Sequence, residues 1–211
     1  MDYIGLLVKR YPELEIIKDD ILTSFEIIKE CYKNGGKLLV CGNGGSASDS
    51  EHIVGELMKG FKNPRYLSED LKNKLKKIDP NVGEILGNNL QMPLEAIALT
   101  GELALNTAII NDCNNGGELC FANQVLGYGH KNDVLLAIST SGNSNNIYNA
   151  CVVAKAKGLK IIGLTGKTGG KLKKISDCAI VAPSDETYMI QELHLPIYHT
   201  LCLMLEEEFF K

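Results

Sequence analysis

Apolar residues follow two rhythms along the chain. Leu14, Ile17, Ile21, Phe25 and Ile28 step by three and four, so they share one face of a helix that Asn34-Gly35-Gly36 ends. Pro12 separates that helix from a short apolar lead. Residues 37–41 are instead a continuous apolar run closed by glycines, the pattern of a strand buried on both faces. Similar runs recur at 95–99, 134–138, 160–164 and 178–182. Helical patterns lie between them, as where Ile147, Ala150, Cys151 and Ala154 precede Gly158.

Alternating strands and helices predict an α/β fold with a doubly wound, five-stranded parallel sheet flanked by helices. Right-handed crossovers place helices on both faces, and ligands then bind at the carboxyl ends of the strands. The chain reads as one domain, 1–211, with an N-terminal helical segment at 1–34. Residues 62–92 are polar and charged and read as a helical insertion, with Ser68 as a cap and Pro80 as a breaker. A surface elaboration, a lid and an oligomer contact all remain open for it. The segment 185–210 is apolar on more than one face, which at a chain end predicts a helix packed in a subunit interface.

Composition narrows the class. The 26 acidic against 22 basic residues give a net charge of −4, which argues against a nucleic-acid surface. Lys171, Lys173 and Lys174 read as solvated helix surface. No apolar stretch is long enough to span a bilayer, and the first residues lack a basic start followed by a long apolar region, so the expectation is a cytoplasmic protein with no membrane partner. The seven cysteines are scattered without a C-x-x-C pair, and most are expected to be reduced core residues; Cys113, beside Asn114, Asn115, Gly116 and Gly117 in a polar turn, is the one open to exposure, although packing is the preferred reading.

Two loops carry the candidate chemistry. Gly42-Asn43-Gly44-Gly45-Ser46-Ala47-Ser48-Asp49 follows the first strand and runs into a helix. It satisfies a dinucleotide fingerprint formally, but the next strand begins near residue 94, too far on to supply the acidic residue that grips a ribose. It also lacks the Gly-Lys-Ser/Thr ending of a nucleotide P-loop, so no nucleotide cofactor is expected. Ser46 or Ser48 capping the helix is the plainer alternative. The second loop, Ser139-Thr140-Ser141-Gly142-Asn143-Ser144, has four hydroxyl residues in six positions between a strand and a helix. Backbone N–H groups at a helix start and such hydroxyls cradle a phosphate without a lysine. A third turn, Thr165-Gly166-Lys167-Thr168-Gly169-Gly170, could close the same pocket or serve only as a turn.

His52 and Glu56 are four apart on the helix after the first loop, so they project from one face about 6 Å apart. They suit either a metal pair or a catalytic acid–base pair. Gln191, His194 and His199 lie in the apolar C-terminal helix, where His194 reads as a satisfied core residue. Gln191 and His199 are eight residues apart, about 12 Å along an ideal helix, with Pro196 between them.

Taken together, CGNGGSASDSEHIVGEL, AISTSGNS, LTGKTGG and IQELHLPIYHTLCLMLEE resemble the phosphoheptose isomerases, within the sugar-isomerase (SIS) domain family. The resemblance covers nearly the whole chain in order. It implies a flavodoxin-like SIS fold, sedoheptulose 7-phosphate as substrate, D-glycero-D-manno-heptose 7-phosphate as product, and a homotetramer with active sites built from neighbouring subunits. It further implies Glu56 and His199 as the catalytic pair, and His52, Glu56, Gln191 and His199 as ligands of one zinc per subunit. Ser139, Thr140, Ser141 and Ser144 would hold the phosphate. Asn43, Gly44, Ser46, Glu56, Asp112 and Gln191 would contact the sugar. The sequence departs from the family pattern at Gly60 and Met189, where many members have arginine, and in the longer 62–92 segment.

The expected reaction is ketose–aldose isomerisation through an enediol, with a base that moves a proton between adjacent carbons and an acid that serves the oxygens. Isomerisation of another sugar phosphate, and a non-catalytic SIS protein that binds a sugar phosphate or a partner, are the alternatives. Glu56 and His199 favour catalysis.

Overall fold

The computed structural model describes residues 1–210. The chain opens with α1 (Tyr3–Arg10), whose cap Asp2 accepts a hydrogen bond from the Gly5 N–H at 2.8 Å. Pro12 then starts a 3-10 segment over Pro12–Ile17, and α2 follows over Lys18–Lys33. The helix expected from Leu14 thus begins as a tighter winding. Residues three apart eclipse one another in a 3-10 helix, so Leu14 and Ile17 still point together into the core.

Strand and helix then alternate. In order come β1 (Leu38–Cys41), α3 (Gly45–Met58), α4 (Glu69–Ile78), α5 (Pro80–Asn89), β2 (Ala96–Ala98), α6 (Leu103–Asp112) and α7 (Gly116–Tyr128). After them come β3 (Val134–Ser139), α8 (Asn145–Ala156), β4 (Lys160–Thr165), α9 (Gly170–Ile175), β5 (Cys178–Val181) and α10 (Thr187–Phe209). The strands form one parallel sheet in the order β2-β1-β3-β4-β5. The expected doubly wound sheet is what forms. Its winding reverses between β1 and β3, so the loops that leave their carboxyl ends open into one crevice.

Alternate strand residues feed two cores, because successive side chains leave opposite faces of a sheet. Leu38, Val40, Leu136, Ile138 and Ile162 pack with α1, α2, α3 and α10, whereas Leu39, Leu135, Ala137 and Ile161 pack with α7 and α8. The 62–92 segment is a helical hairpin. Ser68 caps α4 by accepting from the Leu71 N–H, and Asp79 caps α5, with Pro80 as its first residue. Pro80 therefore starts a helix as well as ending one, since a missing N–H is harmless at that position. Cys113 corrects one expectation: it is exposed, while the other six cysteines are buried.

Candidate active site

The first loop turns sharply at Gly44, which has φ +56°, and α3 begins at Gly45. Neither Ser46 nor Ser48 caps the helix; Gly44 holds that position with no side-chain hydrogen bond. The Asn43 side-chain amide is instead paired in both directions with that of Asn146, at 2.9 and 2.8 Å, which ties the first loop to α8. In the second loop Gly142 has φ +65°, and a Cβ there would lie 2.0 Å from the Gly169 carbonyl oxygen. Only glycine allows the loop to rest on the third turn.

These loops enclose a pocket of about 300 Å³ lined by Asn43, Gly44, Gly45, Ser46, Ser139, Thr140, Ser144, Thr187 and Gln191, with Ile138 at its base. The start of α3 and the cap of α8 both face it, so two helix N-termini direct partial positive charge into it. Ser139 Oγ and Ser144 Oγ are 3.1 Å apart. No lining side chain is ionisable. The arrangement suits an anion held by hydroxyls and backbone N–H groups.

Farther along α3 stands a second constellation. His52 Nε2 is 3.3 Å from Glu56 Oε1 and 3.5 Å from His199 Nε2, while His52 Nδ1 is 3.0 Å from the Tyr198 hydroxyl. Tyr198 also reaches Asp49 Oδ1 at 3.3 Å. Asp49, His52 and Glu56 share one face of α3; Tyr198 and His199 come from α10, which packs along it. Burial, and then the adjacent His52, hold the His199 imidazole below its ordinary range. Burial likewise raises the Asp49 carboxyl and, with Asp49 beside it, the Tyr198 phenol. His199 meets His52 within a single chain, and Glu56 is at the same imidazole.

Comparison with known proteins places the fold in a family. The SIS domain model matches residues 3–77 and 82–166. A protein from Nitratiruptor named phosphoheptose isomerase is 42% identical over 195 residues, covering 92% of this chain and 89% of its own. One of the same name from Campylobacter jejuni is 40% identical over 197 residues, covering 93% and 91%. A solved phosphoheptose isomerase from Francisella tularensis superimposes with a TM-score of 0.76 at 32% identity, covering 97% of this chain and 95% of that one. The chain belongs to the phosphoheptose isomerases of the SIS-domain family.

The residues singled out by resemblance to the phosphoheptose isomerases fall into three places. Asn43, Gly44, Ser46, Ser139, Thr140, Ser144 and Gln191 line the pocket. His52, Glu56 and His199 form the second constellation. Ser141 and Asp112 reach neither. Ser141 Oγ accepts from the Asn143 N–H at 3.2 Å outside the pocket lining, and Asp112 is exposed at the end of α6, next to Asn111. The third turn stands behind the second loop, with the Gly166 N–H donating to the Thr140 carbonyl, and does not line the pocket. His194 is fully buried, as expected of a core residue, but is only half satisfied: Nε2 is 3.1 Å from the Thr165 carbonyl while Nδ1 has no partner, and burial lowers its pKa to about 4.

Sequence reasoning missed Arg65 and Glu206, both fully buried and paired at 2.9 Å. Arg65 donates to the carbonyls of Leu57 and Glu56 at the end of α3, and Glu206 accepts the N–H groups of Phe61, Lys62 and Asn63. The pair thus joins α3 to α10. Gly60 fits the same loop closely: a Cβ at residue 60 would lie 2.4 Å from the Asn63 carbonyl oxygen and from Gln91 Oε1. The signal for Asp49 was present in the sequence, three residues before His52 on one helix face. Arg65 offered none.

The donors bear on zinc as follows. In a tetrahedral site with bonds near 2.0–2.1 Å, donor atoms stand about 3.3–3.4 Å apart. The His52–Glu56 and His52–His199 separations are of that size. Among the described residues, no three His, Cys, Asp or Glu side chains are grouped to hold an ion by themselves. Gln191 is not beside them: it lies against Gly45, two helical turns from His52.

Proposed function

We propose that this protein is a ketose–aldose isomerase that converts sedoheptulose 7-phosphate to D-glycero-D-manno-heptose 7-phosphate through an enediol. The observation that carries the reading is that the chain holds both parts such an isomerase needs, an uncharged pocket suited to an anion and a carboxylate–imidazole cluster. The relatives at about 40% identity, which bear the name phosphoheptose isomerase, supply the substrate.

Each half has a task. Ser139, Thr140 and Ser144 with the two helix N-termini hold the phosphate, and Asn43, Ser46 and Gln191 face the sugar. Glu56 takes a proton from C1 of the ketose and returns it to C2, while His199 gives a proton to O2 and receives one from O1. The enediol between these transfers then collapses to the aldose. A His199 imidazole held below its ordinary range is neutral near pH 7, which suits a group that must both give and take a proton. His52 stands at a zinc-sized separation from Glu56 and from His199; a zinc held there would polarise the two sugar oxygens as a Lewis acid.

The reading includes a homotetramer in which sites are shared. Gln191 lies at the pocket of its own chain and not beside the cluster, which supports a site in which a neighbouring copy brings its Gln191 and phosphate pocket to this cluster. Tyr188, Met189 and Leu195 of α10, together with Leu103 and Ile110 of α6, are large apolar residues left exposed in the single chain and fit such contacts. No helix among the described residues is long and apolar enough to cross a membrane. We place the protein in the cytoplasm, where a phosphorylated sugar would be its substrate.

The test is incubation with a panel of ketose phosphates in deuterated water, with and without chelator. Aldose formation from the seven-carbon ketose with deuterium at C2 is expected. Turnover of a different ketose phosphate instead would replace the substrate assignment, and binding without turnover of any would replace the enzyme reading.

A further inference from the structure

Ser144 stands at the N-cap of α8 yet does not cap it: its side chain accepts nothing from the helix start, and its hydroxyl lies 3.1 Å from Ser139 Oγ at the pocket. The Ile147 N–H, which such a cap would serve, donates instead to Asn146 Oδ1 at 3.0 Å. A backbone N–H can only donate, so the atom facing it is the amide oxygen, and the orientation of the Asn146 amide is settled by the main chain of α8. The same oxygen accepts from Asn43 Nδ2 at 2.9 Å, and Asn146 Nδ2 donates to Asn43 Oδ1 at 2.8 Å. The Asn43 amide is thereby fixed as well. One of its N–H bonds and one of its oxygen lone pairs are used on Asn146; among the described residues the other N–H and the other lone pair have no partner.

We infer that Asn146 is a positioning residue, which reaches across the crevice between β1 and β3 and holds the Asn43 amide in the orientation that meets the sugar. The inference rests on the reading of the pocket as a sugar-phosphate site and deepens it. Asn43 lines the pocket and Asn146 does not, so Asn146 acts through its partner. Asn43 is exposed and stands beside the turn at Gly44, where no other side-chain hydrogen bond restrains it. A freely turning asparagine would offer a ligand either its N–H or its oxygen and would lose rotamer freedom on binding. A fixed one has lost that freedom already in the folded protein, and its free N–H and lone pair keep set directions. Water competes for exposed amides, so the pair adds little to folding stability and its effect belongs to binding. Asn146 also leaves the Ser144 hydroxyl at the pocket, because the Ile147 N–H no longer needs it.

The test measures affinity for sedoheptulose 7-phosphate and for inorganic phosphate by calorimetry on the whole protein and takes their ratio, in which any disturbance of the phosphate cradle divides out. Asn43→Ala and Asn146→Ala are each expected to lower the ratio about 3- to 10-fold, the worth of one neutral hydrogen bond. The double variant should lose no more than Asn43→Ala alone, because the second residue works through the first. Asn146→Asp keeps an acceptor for the Ile147 N–H and lacks only the donor to Asn43, so it should lower the ratio even where alanine loosens the start of α8. A ratio unchanged in both Asn146 variants overturns the inference, and so do losses that multiply in the double variant. A ligand-free crystal structure of Asn146→Ala gives a readout without sugar: the Asn43 amide is expected to leave its orientation while Gly44 to Ser46 stay in place, and an amide that stays overturns the inference. Should sedoheptulose 7-phosphate fail to bind the wild type, the substrate reading falls and that structure alone decides the role of Asn146.

Discussion

The anion pocket and the imidazole cluster lie along the same helix yet are built by opposite means. The pocket is made by the residues that immediately follow β1 and β3, with Thr187 and Gln191 added from α10. Its lining carries no ionisable group, so its affinity for an anion depends on hydroxyls and oriented backbone, and any pH dependence of phosphate binding should be that of the phosphate itself, whose second pKa is about 6. The cluster joins residues 146 and 147 positions apart in sequence and is made of acidic, phenolic and imidazole side chains. Binding and proton transfer are thereby assigned to separate chemistries, which mutations should be able to pull apart.

The largest effect is expected at Glu56. Glu56→Gln keeps the shape of the side chain but cannot take a proton, so kcat should fall about 10²- to 10⁴-fold while substrate affinity by calorimetry stays near wild type. Wild-type-like turnover would remove Glu56 from the base role and the comparison with it.

Mixing variants sharpens the division between copies. An inactive Gln191→Leu subunit and an inactive Glu56→Gln subunit should recover activity together, because one retains the pocket and the other the cluster. Glu56→Gln mixed with His199→Asn should recover none, since both residues surround His52 of one chain. Recovery in the second mixture and not the first would place Glu56 and His199 on different chains of the working site.

Between the two regions on α10 sits His194. Its folded pKa of about 4 lies below the ordinary 6.5, so on acidification the unfolded chain binds the proton first. Its contribution to stability is therefore full above about pH 6.5 and is lost as pH falls toward 4, by roughly 3 kcal/mol in total. Urea unfolding at pH 7.5 and 4.5 should show this loss in the wild type and a smaller one in His194→Gln. Equal losses in both would show that the imidazole charges without penalty.

The pocket should respond in a graded way. Ser144→Ala removes a hydroxyl from its lining, and one hydrogen bond to a charged group is worth about 1.5–3 kcal/mol, so affinity for the sugar phosphate should drop roughly 10- to 150-fold. Affinity for the sugar without its phosphate should be nearly unchanged; equal losses would indicate general damage. Ser141→Ala, two residues along the same loop from Ser139 but outside the pocket, should change either affinity less than about fivefold, well under the value of one such bond. An equal effect at Ser141 and Ser144 would mean that the loop rearranges around the ligand.

Much of this molecule was legible because its rules are local. Runs such as residues 134–138, bounded by glycine and serine turns, read as buried strands, and their alternation with helices pointed to a doubly wound parallel sheet, while the strand order itself came from the structure. The pocket was readable for the same reason, since strand end, turn and helix start are consecutive in sequence. The pair His52 and Glu56 needed nothing beyond the helical repeat.

Tertiary structure decided what meets that pair. The sequence placed Gln191, His194, Tyr198 and His199 on one apolar helix without saying which of them faced α3, because an apolar helix has no polar stripe to orient it. Packing of α10 along α3 brings His199 and Tyr198 to His52, leaves Gln191 at the pocket and buries His194 against β4. Packing likewise chose Ser139 and Ser144 over Ser141, since the turn at Gly142 directs neighbouring hydroxyls differently. The Arg65–Glu206 pair that joins the two helices spans 141 residues and follows no spacing rule. Two opposite charges find each other in a core only after the chain has folded around them, so no local pattern announces them.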